Sequence, residues 1–291
     1  MNLQNMYNLL KEYITNLIDS IISEDFANAA GEMAYMLAIG IFPFMLFLTA
    51  VFGWLGKKVF VTKIIAALST VAPSGVIDLI QGVLREVTLF QNGGVMAIFG
   101  FLVTWFMASN AIAVIIKGLN RANKVKETRT FIQTRLLSFA MVILNAFLLF
   151  ISVNLVIFGK VIINFLQFYI HLNDVIAQMM LITRWPLAFL MLFLLATVNY
   201  YVLPCKQFSI KRSVIPGSLF FCIFWLLGSW LFSLYVNELG TYNKVYGTIG
   251  AFAILMVWLY YTSVIMLIGG EINGQTMDKL YEKKKATINP A

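Results

Sequence analysis

The chain has 291 residues, of which 60% are hydrophobic and 12% are charged, and its formal net charge is +8. Soluble domains contain roughly 45–50% apolar and about 25% charged residues, so this composition excludes a soluble globular protein. A basic excess is compatible with nucleic-acid binding, but in a membrane protein lysine and arginine mark the cytoplasmic loops. The composition therefore predicts a chain whose solvent is lipid and whose partners do not include nucleic acid.

Six apolar segments are long enough to cross a bilayer, since a helical span needs about 20 mostly apolar residues. They cover 34–56, 95–116, 137–159, 181–203, 214–236 and 248–270. Only the fourth segment contains a charged residue, Arg184. The segments are apolar on every face, whereas barrel strands alternate over about 10 residues. The predicted fold class is all-α, a polytopic membrane protein with a bundle of about six transmembrane helices.

Two further stretches have hydrophobic residues at helical spacing on one face. The first is the N-terminal segment 1–33, which we expect to lie along the membrane interface on the cytoplasmic side. The second is the first outer loop, 57–94, where we expect one or two amphipathic helices that cap the bundle or form a lid. The chain then divides into this N-terminal segment, a transmembrane domain over 34–270 and a basic cytoplasmic tail over 271–291.

The basic residues predict the orientation of the bundle. With six spans both termini lie on one side, and the segments on that side carry twice as many lysines and arginines as the opposite loops. The positive-inside rule therefore places both termini in the cytoplasm, with the chain in a bacterial cytoplasmic (inner) membrane.

Pro43 lies early in the first span, three residues after Gly40. Proline lacks a backbone donor and crowds the preceding helical turn, so we expect it to kink or break this helix. The weakened helix could act as a hinge beside a cavity, or the kink could be static and serve packing.

Catalytic and cofactor motifs are missing from the sequence. The chain has one histidine, His171, and contains no HExxH, paired CxxC, GxxxxGK[ST] or GxSxG pattern. The two cysteines, Cys205 and Cys222, have no spacing typical of a metal site or a disulfide framework. The sequence therefore predicts no metal, no cofactor and no enzymatic activity.

Polar chemistry is instead expected in two places. Asn110 and Asn145 are amides several residues inside their spans, where they bond neighbouring helices or line a polar path. The second place is the cytoplasmic rim, where Glu271 ends the sixth span and opposes the helix dipole. Its predicted partners lie in the basic loop after the second span, with Arg129 nearest. The full set of candidate headgroup-binding residues is Arg121, Lys126, Arg129, Glu271 and Glu32.

Four separated motifs carry a resemblance to a known family. They are Ala30-Gly31-Glu32-Met33-Ala34-Tyr35 with Phe42-Pro43, Asn120-Arg121-Ala122-Asn123 with Glu127-Thr128-Arg129-Thr130-Phe131, Leu203-Pro204 with Pro216-Gly217, and Tyr246-Gly247 through Gly269-Gly270-Glu271-Ile272-Asn273. In this order they resemble the YihY/BrkB family of bacterial inner-membrane proteins. The resemblance implies a six-helix bundle with cytoplasmic termini, and it brings the label ribonuclease BN, which no metal-binding cluster in the sequence supports.

The sequence favours a transporter-like membrane protein that acts on lipid or another amphipathic envelope component, with membrane lipids, including anionic ones, as partners. A scaffold that binds envelope partners without transporting them is the alternative, and a nuclease is a third. The substrate, the energy source and the oligomeric state have no signal in the sequence.

Overall fold

The computed structural model describes residues 3–54, 93–157, 163, 173–205, 211–238 and 242–288. Within these ranges the chain forms seven α-helices and one short 3-10 turn, Lys211–Val214. The helices are α1 Leu3–Ser23, α2 Phe26–Trp54, α3 Gly93–Ala122, α4 Phe131–Ile157, α5 Asp174–Val202, α6 Ile215–Glu238 and α7 Tyr242–Ile288.

The predicted all-α polytopic membrane fold is confirmed. Five helices, α3 to α7, contain segments that are long and apolar enough to cross a membrane, and α2 contributes a shorter described apolar segment, Phe26–Ile41. Helices are the expected form because the hydrocarbon layer offers no water to satisfy free backbone groups. Each predicted span falls on one of the helices α2 to α7, in the predicted order.

The helices close into a ring. Each of α2 to α6 packs against the next helix along the chain, and α7 packs against both α6 and α2. Helix α7 also contacts α3 across the bundle. The amphipathic α1 contacts α2 and α7, and it leaves Ile14, Ile18 and Ile22 exposed on one face. An exposed apolar face on a helix of this kind is typical of a helix at a membrane interface.

One end of the bundle carries α1, the loop 123–130, the end of α5 and the last turns of α7, and we call this end the terminal face. Its interior is closely packed. Buried side chains from five helices meet there, including Met33, Leu119, Tyr200, Cys222 and Leu267. The Tyr200 hydroxyl donates a hydrogen bond of 2.9 Å to the Met266 carbonyl and so joins α5 to α7. Small residues let α6 and α7 approach closely at Gly217 and Gly269.

Three sequence predictions about these helices change or lie outside the described residues. Of the two outcomes predicted for Pro43, a break is not found, because α2 continues through it as one helix. Membrane helices tolerate proline because neighbouring helices, hydroxyl side chains and small local adjustments of the helix satisfy the freed carbonyl. Glu271 does not end a helix, since α7 runs on to Ile288. The predicted outer amphipathic helices lie outside the described residues, apart from the start of α3 at Gly93.

Candidate functional site

Arg129 forms a network that joins the α3–α4 loop to the end of α5. Its guanidinium donates to both carboxylate oxygens of Glu127, at 2.8 and 3.1 Å, and to the carbonyl of Leu203. Asn120 donates to Glu127 at 2.7 Å and accepts from the Cys205 backbone at 2.6 Å. We call these residues the Glu127 network. These contacts use Nε and Nη2 of Arg129, so its side chain in this structure holds two segments together.

The charge state of Glu127 follows from this network. Burial raises the pKa of the Glu127 carboxyl, but hydrogen bonds from Arg129, Cys205 and Asn120 outweigh burial and lower the pKa to about 2. Burial lowers the pKa of Arg129, but the hydrogen bonds and the charge of Glu127 outweigh burial and raise this pKa above its ordinary value. The pair therefore stays ionised across the physiological range.

The predicted pairing of Arg129 with Glu271 is wrong. Glu271 is 3% exposed. Among the described residues it forms an ion pair with Lys124, whose Nζ lies 4.0 Å from Glu271 Oε1. Gln275 donates to the same oxygen at 2.8 Å, and Lys124 also donates to Ser20 of α1 at 2.8 Å. The helix-dipole argument that predicted an arginine here does not apply, because Glu271 lies inside α7 and not at its end.

A polar pocket of 470 Å³ opens beside Glu271 on the terminal face, between α1, the end of α3 and α7. Its charged lining residues are Glu12, Asp19, Glu271, Asp278 and Glu282, with Lys124 and Lys279. Carboxylates outnumber lysines, so the pocket disfavours an anionic headgroup. Lys124 has a φ of 54°, a left-handed conformation that ends α3 and that lysine rarely adopts. The conformation accompanies the contacts of its side chain with Glu271 and Ser20.

The remaining rim candidates do not join one site. Glu32 pairs with Lys117 at 2.9 Å, and both side chains are substantially exposed. Arg121 and Lys126 are exposed and have no ion-pair partner in the described ranges. The structure thus places Arg129 in the Glu127 network, Glu271 at the acidic pocket and Glu32 in the exposed pair with Lys117. Arg121 and Lys126 belong to none of these three places within the described ranges.

Asn110 has a charged partner that the sequence analysis did not assign to it. The Arg135 guanidinium donates from Nη1 to Asn110 Oδ1 at 2.6 Å and to Ser109 Oγ at 3.0 Å. Asn110 lies within the apolar segment Ile98–Ala122, seven residues before Lys117, and Arg135 is the fifth residue of the apolar segment Phe131–Ser152. A guanidinium near one end of a candidate span therefore bonds to an amide inside the neighbouring span.

Aromatic rings surround this guanidinium. The Arg135 Cζ atom lies 4.8 Å from the ring centroid of Phe106, 5.7 Å from that of Phe131 and 5.9 Å from that of Phe139. These rings offer cation–π attraction but no negative charge. No carboxylate lies within ion-pair distance of Arg135 among the described residues. We call Ser109, Asn110, Arg135 and the three rings the Arg135 site.

A capping motif could have revealed Arg135 from the sequence. The backbone of Thr130 donates to the Gln133 side chain at 3.0 Å, and the Gln133 backbone donates to the Thr130 hydroxyl at 3.4 Å. This Thr-x-x-Gln capping box begins α4 at Phe131. The predicted span began at 137 because hydropathy alone excluded Arg135, so this arginine was counted as a loop charge.

Asn145 pairs with Asn199 of α5. The two amides exchange hydrogen bonds of 3.0 and 2.8 Å, and Asn199 is 2% exposed. This reciprocal pair is the helix-bonding arrangement that was one of the two predictions for Asn145. In the described part of the chain, no group of three or more His, Cys, Asp or Glu side chains could hold a metal ion.

The fold and these sites define a polytopic α-helical membrane protein with ionisable groups at one face and within the bundle. The family model described as virulence factor BrkB matches residues 17–290, and the chain belongs to this family. The resemblance in the sequence motifs is thereby confirmed.

Relatives agree with this assignment. The chain is 28% identical to the "putative ribonuclease-like protein YfkH" of Bacillus subtilis (strain 168), over 88% of this chain and 90% of that protein. It is 29% identical to a "UPF0761 membrane protein" of Actinobacillus pleuropneumoniae, over 35% of this chain and 36% of that protein. A "UPF0761 membrane protein" of Haemophilus influenzae (strain 86-028NP) is 30% identical over 33% of this chain and 35% of its own length. No solved structure matches the chain.

Proposed function

We propose that this chain is a transporter-like membrane protein that moves a lipid or another amphipathic envelope component between the two leaflets. The observation that carries the proposal is Arg135, a guanidinium within an apolar segment that bonds to an amide inside the neighbouring apolar segment. Charged side chains inside membranes are costly and usually mark substrate pathways. A protein that only holds partners together has no need of this cost.

The sign of the charge indicates the substrate. Arg135 has no carboxylate partner in the described residues, so an anionic group is the ligand that would balance it. The acidic pocket on the terminal face disfavours the same ligand. The exposed apolar side chains Ile132 and Leu136 beside Arg135 favour a ligand that reaches it from the lipid phase. Membrane lipids with anionic headgroups fit both conditions.

A scaffold that binds envelope partners is the second candidate. The closely packed interior and the reciprocal Asn145–Asn199 pair favour it, because both fix the helices in one arrangement. Neither candidate includes nuclease activity, for which the sequence supplies a single histidine. The hinge role of Pro43 stays a prediction that belongs to the transport proposal.

The proposal places both termini, and with them the terminal face, in the cytoplasm. We expect single cysteines at Lys126 and Lys211 to be labelled by a membrane-impermeant maleimide only after the cells are opened, and single cysteines at Gln91 and His171 to be labelled in intact cells. Both native cysteines are replaced by serine in the parent chain. Labelling of Lys126→Cys in intact cells would reverse the orientation.

Transport can be measured in vesicles that contain the purified full chain and phosphatidylglycerol with a fluorescent acyl chain. We expect an externally added quencher to reach the inner-leaflet label in vesicles with the wild-type chain, with or without an imposed pH gradient or membrane potential. Arg135→Gln should reduce this rate at least tenfold, because it removes the charge that binds the substrate. Lys285→Gln removes an exposed cation from the last turn of α7 and should leave the rate unchanged.

The result separates the two candidates. Wild-type vesicles whose inner leaflet stays protected under every imposed gradient would contradict transport and favour the scaffold. Equal rates for wild type and Arg135→Gln would show that the arginine does not carry the activity.

A further inference from the structure

We infer that the Arg135 site binds the phosphate group of a phospholipid that enters between α3 and α4 from the lipid phase. This inference deepens the proposed function and rests on it for the role of Arg135. Binding and transport are separate measurements, so either can fail without the other.

The guanidinium has donors left for a ligand. Arginine carries five N–H donors in a planar fork, and Nη1 supplies the bonds to Ser109 and Asn110. Nε and Nη2 have no hydrogen-bond partner within the described ranges. An arginine fork binds phosphate through two parallel N–H bonds, which is the contact these remaining donors can make.

The receptor side of the site is fixed before a ligand arrives. Ser109 is fully buried, and its hydroxyl donates to the Phe106 carbonyl at 2.7 Å while it accepts from Arg135. The Trp105 indole donates to the Phe139 carbonyl at 3.3 Å, and this bond sets the spacing of α3 and α4 beside the guanidinium. A preorganised arginine loses less entropy on binding than a free surface arginine does.

The surroundings favour a phosphate that carries acyl chains. Exposed apolar side chains lie on the same helices, with Phe131 78%, Ile132 68% and Leu136 64% exposed. In a bilayer these side chains face lipid, and α4 continues this face with Ile143 and Phe147. A phosphate bound at Arg135 would therefore have its chains beside an apolar surface, whereas inorganic phosphate would gain nothing from that surface.

The unbalanced positive charge of Arg135 also favours phosphate over a neutral headgroup. The rings of Phe106 and Phe139 lie within 6 Å of the guanidinium, but ring quadrupoles balance only part of a full charge. A lipid with a neutral headgroup, such as a diacylglycerol, offers acceptor oxygens without charge. We therefore expect the site to distinguish phosphatidylglycerol from the diacylglycerol that has the same acyl chains.

Native mass spectrometry of the purified full chain in detergent tests the inference with three probes: dioleoyl-phosphatidylglycerol, dioleoylglycerol and inorganic phosphate. We expect the first phosphatidylglycerol molecule that binds to each chain to do so at least tenfold more tightly than dioleoylglycerol. Arg135→Gln should weaken this binding at least tenfold, and the control Lys285→Gln, which removes an exposed cation from the last turn of α7, should change it less than twofold. Asn110→Leu keeps the charge of Arg135 but removes the amide oxygen that accepts its hydrogen bond. This variant should weaken lipid binding by less than tenfold.

Each outcome has one meaning. Equal affinity of wild type and Arg135→Gln for phosphatidylglycerol would overturn the inference, as would equal affinity of the wild type for the two lipids. Tight binding of inorganic phosphate, with no displacement of lipid, would show that the site binds the free ion. This result would overturn the inference that the phosphate belongs to a lipid. If Arg135→Gln does not fold, Asn110→Leu carries the test, and unchanged lipid affinity in it would overturn the inference. Arg135-dependent binding without lipid movement in vesicles would keep the inference and contradict transport.

Discussion

Gly217→Ala is expected to remove most of the folded protein from the membrane. A Cβ atom built on Gly217 would lie 1.9 Å from the carbonyl oxygen of Gly269 and 2.5 Å from Oδ1 of Asn273. The first of these atoms belongs to the backbone of α7, so no side-chain rotation can relieve the clash. The methyl group must push α6 and α7 apart.

Separation of the two helices also breaks a buried hydrogen bond. The Gly217 backbone donates to Asn273 Oδ1 at 2.7 Å, and the amide nitrogen of Asn273 is buried without a hydrogen-bond partner among the described residues. Overpacking costs up to about 3 kcal/mol, and a lost buried bond adds about 1 kcal/mol or more. Membrane helices depend on close approach because no hydrophobic effect drives their association in lipid.

The measurement compares Gly217→Ala with Gly31→Ala in α2. A Cβ on Gly31 would meet nothing within 4 Å, so this variant adds the same methyl group without a clash. We expect Gly31→Ala to give a wild-type yield of monodisperse protein after detergent extraction and a similar midpoint of thermal unfolding. Matching yields and midpoints for the two variants would contradict the close approach of α6 and α7.

The fold could be predicted from the sequence because lipid restricts the secondary structure that a spanning segment can form. A long apolar run in hydrocarbon has to satisfy its own backbone groups, and a helix does so within one segment. The boundaries were less accessible. The start of α4 depends on Thr130 and Gln133, and a hydropathy window that stopped at Arg135 did not weigh this local capping motif.

The pairing of charges was not accessible for a different reason. Glu271 was assigned to Arg129 from a helix end that does not exist, because α7 continues through the polar residues after Glu271. Arg129 instead binds Glu127, a carboxylate two residues away that always lies within its reach. Competition between a local partner and a distant one depends on where separate helices come together, and the spacing of residues in one chain does not contain that information.

Glu127→Gln is expected to destabilise the protein at neutral pH and to have about half of this effect at pH 3. The folded state lowers the pKa of Glu127 to about 2, whereas an unperturbed glutamate has a pKa of about 4.3. A lowered pKa stabilises the folded state fully above the unfolded pKa, and this stability is lost as the pH falls through the folded pKa. The loss should therefore occur between about pH 4.5 and about pH 2.

The size of the effect follows from the pKa shift after correction for solvent. Lowering the pKa from about 4.3 to about 2 corresponds to roughly 3 kcal/mol, but the Glu127 side chain is 32% exposed, so screening reduces this to about 1–2 kcal/mol. Glu127→Gln should lower the free energy of unfolding by this amount at pH 7. Glutamine keeps the shape and one acceptor oxygen, which separates the charge from the loss of packing.

Two further variants locate the effect in the network. Arg129→Lys keeps the positive charge but cannot bind both Glu127 oxygens and the Leu203 carbonyl together, so we expect it to lose about half of the same stability. Glu32→Gln is the control, because its pair with Lys117 is exposed and such pairs contribute little. Thermal unfolding of the detergent-solubilised protein, followed by tryptophan fluorescence, provides the comparison at pH 7 and pH 3. A stability difference between wild type and Glu127→Gln that is equal at both pH values, or that Glu32→Gln reproduces, would show that the Glu127 charge does not hold the α3–α4 loop to α5.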